Sequence, residues 1–266
     1  MTTGSAQYPY PGSTAVPDVP ADILLLTQRL ALMNGSGTGF VADATALAAT
    51  ITDGDAFTGW SVYHAAADCV VSYNGSAFKL VGTKRFADVA AQTSWTTTYS
   101  GLLEAGSLSY AVDTTITYRY SGSAWVAWNS PWFTRTPTLN NITLGTGGTS
   151  YFRARYVEGD IEEKLKVAFG TSGAAWTTSP NWTLLAAPDP LSYAAISQVG
   201  RGSAYDASAT IDYDITANWT GSGSTVNLYV RGTAATYLAL GIITASAPFT
   251  PATNDTVTVR LAYTPA

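Results

Sequence analysis

The sequence has one cysteine, one histidine and few charged residues, and each scarcity excludes something. A single cysteine, Cys69, rules out an intramolecular disulfide. Within the apolar run Cys69-Val70-Val71 it reads as a small buried hydrophobe. A single histidine, His64, excludes a multi-histidine metal site and leaves any Ser-His-Asp triad resting on one residue. No Gly-x-Ser-x-Gly elbow surrounds a serine, and Gly145-Thr146-Gly147-Gly148 lacks the Lys-Ser/Thr ending of a phosphate loop. Charged residues make up 12 % of the chain, where an average domain has about a quarter. Net charge is −5 with no run of Lys or Arg, so neither a nucleic-acid footprint nor a cationic membrane-binding face is expected. No apolar stretch reaches the roughly 18 residues of a membrane span, and the N-terminus lacks the pattern of a signal peptide. The expectation is a protein made in the cytoplasm without membrane insertion.

What replaces the charge is Thr, Ser, Gly and Asn, residues that suit exposed sheet faces and tight turns. An all-β body is therefore expected. Residues 1–36 form a first segment. Its opening stretch holds Pro9, Pro11, Pro17 and Pro20, which forbid a helix and favour extended chain. A short helix follows, with Asp22 near its start and Asn34-Gly35 as a stop signal. Its apolar residues Ile23, Leu26, Leu30 and Met33 step by coiled-coil intervals, so it meets either its own domain or its copies around an axis. Tyr8, Tyr10 and those four residues are the candidate docking and oligomerisation contacts, and a homotrimer is expected.

Residues 37–130 read as a tandem repeat, about 37–82 and 83–130. Tyr73-Asn74-Gly75-Ser76-Ala77-Phe78 recurs 47 positions later as Tyr120-Ser121-Gly122-Ser123-Ala124-Trp125, and Gly59 and Tyr63 match Gly106 and Tyr110. Each copy reads as a short helical or extended lead followed by a β-hairpin module closed at Asn-Gly or Ser-Gly. Pro131–Pro137 reads as a linker into a third segment, 131–266, where eight strand patterns between turns suggest a jelly-roll-like β-sandwich.

The residues offer little chemistry. Glu158, Asp160, Glu162 and Glu163 form the densest acidic cluster, but beside Lys164 and Lys166 they read as a solvated hairpin rather than a glycosidase pair. Asp212 and Asp214 alternate along one strand face, an incomplete cation site. No catalytic, cofactor-binding or metal residue is assigned. Aromatics are in surplus, and Trp and Tyr serve cores, interfaces and sugar stacking alike. Trp125, Trp128 and Trp132 are read as core or interface. Trp176, Trp182 and Trp219 lie near turns and are candidate glycan contacts.

Several ordered landmarks carry a resemblance. Trp132-Phe133-Thr134 and Thr136-Pro137 lead into Leu139-Asn140-Asn141-Ile142-Thr143-Leu144-Gly145. Tyr151-Phe152-Arg153-Ala154-Arg155-Tyr156-Val157 precedes Ala168-Phe169-Gly170-Thr171-Ser172, and Ala247-Pro248-Phe249-Thr250 comes before a last strand ending at Tyr263. In this order, and with the lead Tyr8-Pro9-Tyr10-Pro11, they resemble the minor tail, fibre and head-fibre proteins of tailed bacteriophages, especially those of actinobacterial hosts. The chain departs from that pattern at Thr146, where the family has asparagine, and at Pro251, where it has tryptophan. The resemblance implies a virion protein, often trimeric, bound to other virion proteins through its N-terminus and displaying a C-terminal β-sandwich. It implies no catalytic residues. The function expected is host-surface attachment by a minor tail or fibre-type protein, with a host glycan as a candidate partner. Competing readings are a capsid decoration protein or head fibre and, behind both, a carbohydrate-active enzyme or free lectin.

Overall fold

The computed structural model describes residues 39–52, 56, 58–192, 197–231, 240–245 and 248–266. The arm and helix expected in 1–36, with Tyr8, Tyr10, Ile23, Leu26, Leu30 and Met33, lie outside the described residues. Strands account for 50 % of the described residues and helices for 11 %, which makes the fold all-β. It divides between Val126 and Ala127 into two compact units, four residues before the break expected from sequence.

In the first unit each copy of the repeat builds the same series of elements. The first copy holds β1 (Gly39–Val41), α1 (Ala44–Thr52), β2 (Ser61–His64), β3 (Cys69–Tyr73) and β4 (Phe78–Leu80). The second holds β5 (Thr83–Phe86), α2 (Val89–Tyr99), a 3-10 turn (Ser100–Leu102), β6 (Leu108–Ala111), β7 (Ile116–Tyr120) and β8 (Trp125–Asn129), the last of which runs past the division. β1 pairs with β2, and β5 with β6, in parallel, while β2–β3, β3–β4 and β6–β7 pair antiparallel and β8 lies beside β7. A parallel pair needs a crossover, and the lead of each copy supplies it as a helix. These modules are thus more than hairpins. The aspartate before each helix accepts from its first-turn amides: Asp43 from Thr45 and Ala46, Asp88 from Ala91.

The 47-residue offset extends to the backbone bonds. Gly59 N donates to Tyr73 O at 2.8 Å, and Gly106 N donates to Tyr120 O at 2.8 Å. Asn74 N to Ala77 O (3.0 Å) is matched by Ser121 N to Ala124 O (2.8 Å). The two copies share one core, in which Val62, Val71, Phe78 and Leu80 of the first meet Leu102 and Leu103 of the second. Cys69 is buried there, and burial pushes its thiol up to about 11. The thiol is therefore protonated and inert at neutral pH.

The second unit is one large sheet. Its strands are β9 (Phe133–Thr134), β10 (Leu139–Thr143), β11 (Thr149–Val157), β12 (Asp160–Ala168), β13 (Ala175–Thr183), β14 (Ser197–Asp206), β15 (Ile211–Trp219), β16 (Thr225–Arg231), β17 (Leu240–Ile242) and β18 (Thr256–Tyr263). They lie in the order β10-β13-β16-β15-β14-β18-β12-β11-β9, with β17 beside β16. The two ends of that path, β9 and β10, are consecutive in sequence and separated only by residues 135–138. So short a link forces the sheet to curl until its ends meet. The two halves then face each other like a sandwich, hydrogen-bonded continuously along one side. Phe152 of β11 packs on Trp182 of β13 with ring centroids 6.5 Å apart, although the two strands stand at opposite ends of the path.

Inward residues alternate with outward ones as a one-sided sheet requires. On β18 these are Val257, Val259, Leu261 and Tyr263, and on β12 Ile161, Glu163, Leu165 and Val167. β14 was not legible in the sequence, because Gly200, Gly202 and Ser203 carry no strand signal. Those glycines are there for close approach. A Cβ on Gly202 would stand 1.9 Å from Thr258 O and 2.8 Å from Val259 Cα. Gly202→Ala is expected to cost about 1–3 kcal/mol by forcing β14 from β18. Urea unfolding of the full chain checks it, and an unchanged midpoint would contradict the packing.

Candidate functional site

The inward alternation of β12 carries a glutamate into the core. Glu163 is 1 % exposed, and its Oε1 accepts from Arg135 Nη1 (3.1 Å), Leu185 N (2.7 Å) and the Tyr263 hydroxyl (2.7 Å). Arg135 comes from the link between β9 and β10. Its backbone amide donates to Phe152 O on β11, and its Nη2 donates to Thr183 O on β13. One residue therefore ties both ends of the curled sheet to Glu163. Burial pushes the Glu163 carboxyl above the usual carboxylate range, and the bonds from Tyr263, Leu185 and Arg135 pull it partly back. Burial and the adjacent carboxylate push the Tyr263 hydroxyl up. Glu163 was expected in a solvated hairpin; the period of two along Ile161, Leu165 and Val167 places it inside instead.

That alternation also decides what the acidic cluster can do. Glu162 points outward and pairs with Arg155 at 2.7 Å, while Glu163 points inward. Neighbours on opposite faces of a strand do not flank one glycosidic bond. Asp212 and Asp214 are exposed on the outer face of β15. Among the described residues no group of three or more His, Cys, Asp or Glu could hold a metal ion. His64 is fully buried and accepts from Ala67 N at 3.1 Å through Nδ1.

The candidate glycan contacts need correction. Trp176, Trp182 and Trp219 are 2 %, 0 % and 2 % exposed and sit in the core of the second unit. Trp176 donates to Phe249 O (3.1 Å) and Trp219 to Gly223 O (2.9 Å), which anchors nearby loops. Turn-rich flanks signal strand ends, and here the strands ending there face inward. No sugar ring reaches these indoles in the folded chain.

The outer face of the same sheet holds what the sequence did not announce. Cross-strand register aligns Arg153 of β11, Lys164 of β12, Arg260 of β18 and Arg201 of β14 in one row. Arg155 and Lys166 stand beside it on the same face, so six of the thirteen basic residues gather on four strands. Of the six, Arg155 alone pairs with a carboxylate among the described residues. The Trp132 ring lies under three of them, with Lys164 Nζ 4.5 Å, Arg155 4.7 Å and Arg153 5.4 Å from its centroid. Trp132, Arg155, Lys164 and Arg260 line an open groove of about 520 Å³. Amides continue the face: Gln198, Asn218, Asn227, Asn181 and Asn140 align across five strands, the last two bonded at 2.9 Å. Spacing along the chain hides such a row, since its members come from strands up to about a hundred residues apart; only the register reveals it.

No family model, curated protein or solved structure matches the chain.

Glu163 yields a pH test. Glu163→Ala strands the Arg135 charge, the Leu185 amide and the Tyr263 hydroxyl, and is expected to cost about 3–5 kcal/mol. Glu163→Gln keeps the shape and cannot ionise. Because the carboxyl is raised above 4.5 on folding, its contribution is fullest below that value and is lost as pH rises through the folded-state value. The stability of the native chain relative to Glu163→Gln should therefore fall between acidic and neutral pH. Urea titrations across that range check the sign, and a gap that widens with pH would contradict it.

Proposed function

We propose that the chain is a structural protein of a tailed-phage virion, of the minor tail or fibre type. Its N-terminal arm anchors it, a homotrimer is its working form, and its β domains are displayed for attachment to the host surface. The observation that carries this reading is the way the landmarks of the family resemblance assemble. Phe133 pairs with Ala154 across β9 and β11, and Trp132 underlies Arg153 and Arg155. Phe169 N donates to Asp255 O, and Phe249 packs on Trp176, itself edge-on to Phe169. Segments scattered from residue 132 to residue 263 thus converge as the closure and core of one sheet. Landmarks with a common structural task support a likeness of fold rather than a coincidence of short motifs. The outer face supports a binding role, since it is open, polar and one-signed along its central row, as a surface for recognition would be.

Immunogold labelling of intact particles with antibody against the purified chain tests the location. Label on the tail or its fibres is expected. Unlabelled particles would overturn the virion reading, and label spread over the capsid shell would replace the tail position with a decoration role. Light scattering of the full chain should give about three times its 27.9 kDa mass, and a monodisperse monomer would overturn the trimer.

A further inference from the structure

We propose that the outer face of β11, β12, β18 and β14 binds an acidic, uronate-bearing polysaccharide of the host surface. This rests on the attachment reading above and names its ligand class. Like charges placed opposite each other on neighbouring strands repel, so a row of Arg153, Lys164, Arg260 and Arg201 destabilises the sheet that carries it. Glu162 offsets one neighbour of that row, Arg155, and Asp214, one strand over, makes no ion pair with Arg201. Such an arrangement is stabilised by a linear anion laid across the strands, with a carboxylate meeting each cation.

The geometry suits a chain of sugars. Strands stand about 4.8 Å apart, so the cations follow one another around the outer curve of the sheet at a spacing close to one sugar residue per strand. The groove beside them is open rather than deep, and Trp132, Arg155, Glu162, Lys164 and Arg260 line it, with the Trp132 ring against Lys164 and Arg155. Beyond Arg201 the row continues into Thr216, 6 % exposed with a hydroxyl that has no partner, beside Asp214 at a small hollow of about 110 Å³. Asp160, Glu162, Asp212 and Asp214 lie on the same outer face, and the whole chain is acidic. Those charges flank the row and disfavour a wide polyanion such as a nucleic-acid duplex, whose phosphates extend on both sides of any single row.

The test uses the full chain with sodium polygalacturonate as probe, neutral dextran as control and single-stranded oligothymidylate as competitor, followed by calorimetry. Polygalacturonate should bind with an affinity that falls as salt is raised, and dextran should not bind. The exposed pair Arg201→Glu with Arg260→Glu should weaken binding about tenfold or more, while Arg201→Lys with Arg260→Lys stays within about threefold. Equal melting temperatures for both double variants confirm that the sheet is intact, and the lysine pair keeps the test alive if the glutamate pair fails to fold. Binding indifferent to the charge reversal, absence of binding, or tighter binding of oligothymidylate would each overturn the proposal. A parallel assay adds excess full chain to particles and host cells. Blocked adsorption without polygalacturonate binding would remove the ligand class alone, whereas unblocked adsorption would remove the attachment reading itself.

Discussion

The second unit depends on the four-residue link between β9 and β10. Strands at the two ends of a nine-strand path cannot be sequence neighbours unless the sheet curls through most of a turn. Once it does, its inner face becomes a core without a second layer, and three tryptophans fill it. Arg135 sits in the link and bonds to both ends as well as to Glu163 in the interior. A buried ion pair contributes little net stability, because desolvation offsets most of its attraction. Its value here is in register: a slip of one residue in β12 would turn Glu163 outward and leave Arg135, Tyr263 and Leu185 without their shared acceptor.

The first unit solves the same problem by duplication. The buried cluster of this unit is drawn from both copies: the hydrophobic residues of β1, α1, β2, β3 and β4 are joined by Leu102 and Leu103. Polar bonds tie the copies as well. Lys79 donates to Gly101 O and Leu103 O, and Trp95 donates to Ala67 O. The α2 segment Thr96-Thr97-Thr98 is a poor helix former, and each of these hydroxyls bonds back to the carbonyl four residues earlier. Tertiary packing, not propensity, sustains that helix.

Much of this was legible in the sequence, and the failures have physical causes. The repeat showed because turn glycines and the aromatics after them recur at a fixed offset, and the β character showed in Thr, Val and Tyr alternation. The strand β14 did not, since its glycines serve close approach rather than strand propensity. Glu163 was misplaced because charge was weighed above alternation, although Ile161, Leu165 and Val167 already defined its face. The turns that flank Trp176, Trp182 and Trp219 suggest exposure, but these three stand at inward positions of their strands. The basic row could not be read at all. It exists only after pairing brings residues 153, 164, 201 and 260 abreast.

Closure of the sheet brings a row of cations abreast on an open face, the face we propose meets the host. Lysine footprinting reads it directly, because the chain has four lysines, Lys79 and Lys84 in the first unit, Lys164 in the row and Lys166 beside it. Acetylation rates followed by mass spectrometry, with and without polygalacturonate, should fall at Lys164 and Lys166 and stay unchanged at Lys79 and Lys84. Protection confined to the first unit, or equal at all four lysines, would contradict the claim.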